Sequence, residues 1–293
     1  MVYAFYNTSA GAHYDADTVK ERIGHFFAGE DVTLVDTLSV ENKQEYIAKL
    51  STEDKLVIVG GDGTLNRFIN AIEDREYPFD IYCYAAGTGN DFINDVLGTG
   101  VDEPFRINEH IRHLPVIEVN GEKYKFLNGI GYGIDGWCCE EGDKFRSKTG
   151  KAPNYTTIAI RGLLGAFKPV TAKVTVDGVT TEYENVWMVP SMNGRYFGGG
   201  MKITPDQDRL NEERHISVAV VKAKSRLKLL TVFPKIFKGT HTKHTDIIEI
   251  RTAKEVCVEF SRPVALQIDG ETVVGVTTYK ATSHALLFDG AEV

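Results

Sequence analysis

The 293-residue chain predicts two folds in succession: an α/β unit on a doubly wound parallel sheet over 1–112, then an antiparallel β-sandwich over 113–280. Three observations predict this. In the first part, apolar runs end in polar or glycine turns and are followed by apolar residues at helical spacing, the alternation of a parallel sheet. In the second part, short β-branched runs follow one another, separated by turns such as Asn120-Gly121 and Asp177-Gly178. Finally, 42% hydrophobic and 25% charged residues make an ordinary globular composition, with chain enough for two cores.

Taken in order, Val2 to Tyr6 reads as a strand, Asn7 to Gly11 as a polar turn, and Val19 to Phe27 as a helix. Val32 to Val35 is a second strand, and Ser39 to Leu50 a helix with Tyr46, Ile47 and Leu50 on one side. Leu56-Val57-Ile58-Val59 is wholly apolar and mostly β-branched, as in a strand buried on both faces. The turn Gly60-Gly61-Asp62-Gly63 follows, then a helix marked by Leu65, Phe68, Ile69 and Ile72. Ile81 to Tyr84 is a fourth strand, ending in Ala85-Ala86-Gly87-Thr88-Gly89-Asn90-Asp91-Phe92. Because each turn follows a strand, the turns should gather at the carboxyl edge of the sheet, where ligands bind.

Beyond residue 112 the expected strands are Pro115–Val119, Lys123–Asn128, Val170–Val176, Glu184–Pro190, Ile216–Val221, Asp246–Arg251, Glu255–Phe260, Val264–Ile268 and Thr272–Tyr279. Tyr155–Phe167 and Leu227–Phe237 read as the two helical interruptions. The tail 281–293, with apolar Ala285 to Phe288, is expected to return to the first domain.

A net charge of −8 argues against general attraction to nucleic acid or to an anionic membrane, so any phosphate site must be local. The amino terminus lacks a signal-like apolar region, and no apolar run approaches the ~20 residues of a membrane span. Cys83, Cys138, Cys139 and Cys257 have no metal-ligand spacing and read as reduced thiols of a cytoplasmic protein.

The strand, glycine turn and helix over 56–72 form a natural anion site. The first helical turn offers unpaired N–H groups and partial positive charge, and glycines admit a phosphate to the backbone. Asp62 would repel that phosphate unless Mg²⁺ lies between them, or unless the carboxylate takes a proton from an attacking hydroxyl. Gly87 to Asp91 supplies a second glycine turn at the same edge, Asn7 to Gly11 a third wall, and Thr37 lies just past the second strand. Asp269-Gly270-Glu271 places two carboxylates in a hairpin turn, where they can hold a metal or divide the roles of base and support. Each motif alone also reads as an ordinary turn or helix cap.

Together and in this order, Gly60-Gly61-Asp62-Gly63-Thr64, Gly87-Thr88-Gly89-Asn90-Asp91 and Asp269-Gly270-Glu271 resemble the diacylglycerol kinase catalytic-domain family, soluble bacterial lipid kinases related to sphingosine kinases. Asn128 to Asp135 is similar to that family's domain-crossing strand, and Asn193 to Met201 to its glycine hairpin. The resemblance implies ATP and Mg²⁺, with a lipid acceptor bound in a cleft between a nucleotide domain and a β-sandwich domain. It implies nucleotide contacts from Asn7, Thr8, Ser9, Ala10, Gly11, Thr37, Gly60, Gly61, Gly63, Thr64, Leu65, Asn66 and Thr88, and acceptor contacts from Asn90 and Asp91. Asp62, with Mg²⁺, would face the γ-phosphate; Glu271 would accept the lipid hydroxyl proton, with Asp269 beside it. Glu271 is expected to be partly shielded, since a free carboxylate is a weak base. A homodimer is also suggested.

Three positions depart from the family pattern: Arg67 stands where Glu is usual, Ala85-Ala86 where the second motif usually begins with Pro, and Asn211 in place of an Asp of the turn that binds a structural Mg²⁺. Asp208, Asn211 and Glu213 are the nearest equivalents of that site, weakened by the lost charge. Lys222 to Lys238 is basic and free of acids, suited either to packing on the sandwich or to lying on a membrane surface. The leading function is transfer of the ATP γ-phosphate to a lipid hydroxyl, with diacylglycerol the leading acceptor. Two alternatives stand: a NAD kinase, which shares Gly-Gly-Asp-Gly-Thr, and a non-catalytic nucleotide or lipid sensor.

Overall fold

The computed structural model describes residues 1–7, 15–87, 90–98 and 100–284, and divides into two compact units, Met1–Leu114 and Pro115 onward. Thr8, Ser9, Ala10, Gly11, Thr88 and the tail beyond His284 lie outside the described residues.

The first unit contains β1 (Val2–Tyr6), α1 (Ala16–Phe26), β2 (Val32–Asp36), α2 (Lys43–Ile47), β3 (Lys55–Gly60), α3 (Asp62–Asn70), β4 (Asp80–Ala85), α4 (Asp91–Val96) and β5 (Phe105–Arg106). The sheet order is β2-β1-β3-β4-β5, with the first four strands parallel and β5 antiparallel to β4. β3 is buried along Leu56 to Val59, as its unbroken apolar run requires. Against one face pack Val19 and Ile23 of α1, beside Val57, Val59 and Tyr84. The helix expected over Ser39–Leu50 shrinks to one short turn. Asp36 draws the chain after β2 into a turn by accepting the Leu38 N–H (3.0 Å), and Asn42 caps α2 by accepting the Glu45 N–H (3.0 Å).

The second unit contains β6 (Val116–Val119), β7 (Glu122–Lys125), β8 (Gly129–Tyr132), α5 (Ile134–Thr149), α6 (Tyr155–Arg161), β9 (Val170–Val176), β10 (Val179–Met188), β11 (Ser191–Met192), β12 (Ile216–Lys222), α7 (Arg226–Val232), β13 (Ile248–Ala253), β14 (Glu255–Ile268) and β15 (Glu271–Thr282). A π-helical turn, Gly162–Ala166, continues α6, and a 3-10 turn, Phe233–Lys238, continues α7. The strands form one antiparallel sheet that folds over a single core centred on Tyr132, Trp187, Val218 and Val258. Its closure rests on β14. The first half of that strand pairs with β9 (Val256↔Val176 to Phe260↔Ala172) and the second with β8 (Leu266↔Tyr132 to Ile268↔Ile130). The change of partner accompanies a register shift between Glu259 and Val264. The two separate strands expected over 255–268 are therefore one, and Pro263 sits in the irregular stretch where a missing N–H is tolerated.

The strand expected over Asn128–Asp135 ends at Tyr132, and the sixteen-residue α5 follows where the sequence predicts no helix. Residues 281–284 lie with the second unit: Ala281 and Thr282 pair with Ile117 and Val116, and Ser283 N–H donates to Lys254 O at 2.7 Å, while the rest of the tail lies outside the described residues.

Candidate active site

In the first unit the register brings the expected residues to one edge. Tyr6 is level with Asp36 and Val59, and Gly60 with Ala85, so Asn7, Thr37, the turn at 60–64 and Gly87 all follow the carboxyl ends of adjacent strands. Thr37 N–H donates to Tyr6 O at 3.1 Å, closing the edge between β1 and β2.

The two glycine turns touch. A Cβ on Gly87 would lie 2.6 Å from Gly61 Cα, and one on Gly60 would lie 2.5 Å from Thr64 Oγ1. Asp62 binds them from within: Oδ2 accepts the Asp91 N–H at 2.8 Å and Oδ1 the Phe92 N–H at 3.0 Å. The carboxylate that opens α3 thus also satisfies two first-turn donors of α4. A carboxylate is a hard oxygen donor of the kind magnesium takes alongside nucleotide phosphates, so the chemistry of Asp62 fits that ion. Asn90 stands at the cap position of α4, its Nδ2 donating to Gly87 O at 3.1 Å, and Asp91 is buried.

Two of the expected nucleotide contacts are buried in α3. Leu65 is a core side chain, with its N–H donated to Gly61 O at 3.1 Å. Asn66 is buried too, and accepts from Asn70 Nδ2 through its backbone oxygen at 3.0 Å. Arg67 is exposed on the opposite side of α3.

In the second unit, Asp269 and Gly270 form the two-residue turn joining β14 to β15, with φ of 47° and 94° and Ile268 paired to Glu271. That is the left-handed pair a tight hairpin prefers. Asp269 is buried, and its carboxylate accepts three N–H groups: Leu127 at 2.5 Å, Asn128 at 2.8 Å and Gly129 at 2.9 Å. It is therefore a structural anchor for the start of β8 rather than a second catalytic acid. Arg209, a residue the sequence reading did not single out, is buried beside the same segment; Nη1 donates to Leu127 O and Nη2 to Asn128 Oδ1, each at 3.1 Å. Glu271 is exposed, so the expected shielding is not met. A cavity of about 480 Å³ elsewhere in this unit, lined by Thr204, Gln207, Ser217 and Thr242, includes none of the expected site residues.

Asp208, Asn211 and Glu213 do not fit a cation. Asn211 Nδ2 donates to Asp208 O (2.6 Å) and His215 O (3.0 Å), while its Oδ1 accepts the His215 N–H (2.9 Å). Glu213 pairs with His215 Nδ1 at 3.1 Å, and Asp208 Oδ1 accepts the Leu210 N–H at 2.9 Å. An amide N–H₂ occupies the centre of the turn, and it repels a metal. Among the described residues no group of three or more His, Cys, Asp or Glu side chains is placed to hold an ion. Nor do the thiols suggest covalent chemistry: all four are free, burial and the nearby Asp62 charge push Cys83 up to about 12, and burial raises Cys138 and Cys139 as well.

Residues 1–119 match the model of the diacylglycerol kinase catalytic domain, and 128–286 that of the YegS C-terminal NAD kinase beta sandwich-like domain. The chain is 24% identical over 258 residues to a Bacillus subtilis (strain 168) protein named "Putative lipid kinase YtlR", covering 82% of this chain and 79% of that one. It is 26% identical over 219 residues to a Mycobacterium tuberculosis (strain ATCC 25618 / H37Rv) diacylglycerol kinase, covering 70% and 67%. The crystal structure of a diacylglycerol kinase from Bacillus anthracis str. Sterne superposes with a TM-score of 0.67 at 21% identity, covering 97% of this chain and 94% of that one.

Proposed function

The chain belongs to the diacylglycerol kinase family, in which a catalytic domain is joined to a YegS-type sandwich, and from that premise we propose that this lipid kinase phosphorylates diacylglycerol to phosphatidic acid with ATP. The observation that carries the reading is the junction of the two glycine turns at Asp62, which presents a carboxylate among backbone donors at the edge of a parallel sheet.

Phosphoryl transfer is mainly positioning and charge neutralisation. Asn7, Thr37, Gly61, Gly63 and Thr64 hold the ATP phosphates. Asp62 would hold Mg²⁺ together with those phosphates, and the bound ion would supply neutralisation of the developing charge. Glu271 accepts the proton of the acceptor hydroxyl as its oxygen bonds to the γ-phosphorus and the bond to the β–γ bridging oxygen breaks, releasing ADP. An exposed carboxylate suits this role once bound substrate excludes water from it.

The acceptor is reached at a membrane surface. Among the described residues no helix is long and apolar enough to cross a membrane. Leu164 and Leu227 are 67% and 76% exposed, and Arg226 Nη1 donates to Leu163 O at 3.3 Å, which joins the segments carrying them. Lys224 and Lys238 are exposed in the same 222–238 segment, whereas Lys228 pairs with Asp246 and Lys235 with His244; the exposed lysines suit anionic headgroups.

The test is incubation with γ-labelled ATP and Mg²⁺ against a panel of diacylglycerol, a sphingoid base, phosphatidylglycerol, an isoprenoid alcohol and NAD. Label in phosphatidic acid, lost in Glu271→Gln, is expected. Label on NAD, or nucleotide binding without transfer to any acceptor, overturns the proposal.

A further inference from the structure

Glu271 protrudes from a turn whose two residues are each tied down. Asp269 is held by the three N–H groups of Leu127 to Gly129. Gly270 N–H donates to Gln267 Oε1 at 2.6 Å, and Gln267 Nε2 donates to Asp135 Oδ2 at 2.9 Å. The orientation of the Gln267 amide is fixed by chemistry: a carboxylate can only accept and a backbone N–H only donate. Gln267 is buried, with Gly131 opposite it in the ladder. A Cβ on Gly131 would lie 1.7 Å from Asp135 Oδ2 and 2.7 Å from Gln267 Nε2, so the amide–carboxylate pair lies directly on that glycine.

The other side of Glu271 is tied to the same helix. Thr272 Oγ1 donates to Asp143 Oδ2 at 2.7 Å. Asp135 and Asp143 both belong to α5, two turns apart on one face. α5 can lie this close because Gly136 faces the backbone of Ala265 and Leu266; a Cβ there would stand 2.1 Å from Ala265 O.

We propose that Gln267, anchored by Asp135, is a positioning residue for Glu271, and that α5 acts as the splint that aims the proton acceptor. Asp135 secures the residue before Glu271 through Gln267, and Asp143 secures the residue after it through Thr272. The proposal rests on the reading of Glu271 as proton acceptor. A misplacement of about 1 Å at a reacting group costs on the order of 10²-fold in rate, so the splint matters even though neither Gln267 nor Asp135 need touch the lipid.

The experiment compares Gln267→Met, Gln267→Glu and Glu271→Gln in the full chain for kcat, KM for ATP and the pH profile. Gln267→Met is expected to lower kcat about 10- to 100-fold while KM for ATP changes less than about twofold. In Gln267→Glu the new carboxyl meets Asp135, with Asp143, Glu271, Tyr155 and the Cys138 and Cys139 thiols among the other titratable groups in this part of the unit. Repulsion favours a proton on it. Once protonated, it again donates to Asp135 and accepts from Gly270. Its kcat relative to wild type should therefore rise as pH falls from about 8 to about 6. Wild-type kcat in both Gln267 variants, with Glu271→Gln inactive, overturns the splint and leaves the proton acceptor standing. An active Glu271→Gln overturns the proton acceptor itself. Should Gln267→Met fail to fold, a flat Gln267→Glu ratio across pH overturns the splint.

Discussion

Asp269→Asn separates an anchoring role from a chemical one. Its oxygens receive three backbone N–H groups, two on Oδ1 and one on Oδ2. The amide keeps one oxygen for Asn128 and Gly129 and turns an N–H₂ toward the Leu127 N–H, which is then unsatisfied. A hydrogen bond to a charged group contributes about 1.5–3 kcal/mol, and an orphaned buried donor costs about 1–3 kcal/mol. With partial relaxation, a net loss of about 3 kcal/mol follows, or roughly 6–12 °C in the melting temperature of a unit this size. Trp137 and Trp187 both belong to the second unit, so tryptophan fluorescence reads its unfolding selectively. Asp269→Asn should melt early in urea and heat while keeping measurable turnover well below its midpoint. A melting curve within 1–2 °C of wild type, about the shift expected for only 0.5 kcal/mol, together with abolished turnover, would refute the anchoring argument.

Other outcomes follow from the same geometry. Gly87→Ala must push backbone against Gly61 Cα, so nucleotide Kd, read by fluorescence titration, should rise at least about tenfold, or about 1.4 kcal/mol. Burial holds the His241 imidazole below its ordinary value of 6.5, so the folded state favours the neutral ring. The stabilisation is complete above about pH 6.5 and is lost as pH falls further; His241→Gln should flatten that part of the melting-temperature profile. Asn211→Ala removes three hydrogen bonds across the 208–215 turn and should cost about 1–3 kcal/mol by urea melts, whereas EDTA should leave the wild-type midpoint unchanged. Leu164→Asp combined with Leu227→Asp should reduce co-sedimentation with anionic vesicles, leaving thermal stability within about 0.5 kcal/mol of wild type because both side chains are exposed.

What was legible in the sequence was contiguous. The run from Leu56 to Asn66 states its strand, turn and helix in consecutive residues; the strand and helix form, and the helix opens at Asp62, so that Asp62 and Gly63, expected in the turn, are its first residues. α5 was illegible because glycines make its close contacts: Gly136 against Ala265 of the sheet and Gly142 against the Tyr155 ring of α6 stand in the apolar stripe by which a helix is normally recognised. Pro263 divided β14 in the sequence, although at an irregular stretch it costs little. Asp269 and Glu271 announced an acidic turn, but nothing local tells that one is consumed by N–H groups about 140 positions earlier while the other is exposed. Gln267 left one local signal, an amide in the otherwise apolar buried stretch Val264–Ile268 beside the acidic turn.

The double pairing of β14 also has a consequence for biosynthesis. β8 is made early but waits for Leu266 to Ile268 before it gains that neighbour, and β9 likewise waits for Val256 to Phe260. These are pairings of high contact order, and such pairings form slowly. A chain still on the ribosome therefore carries an open sheet with a raw edge until its last hairpin emerges. Because β14 and β15 meet in that same hairpin, a nascent or truncated product stays aggregation-prone until the hairpin has formed and the sheet has closed on itself.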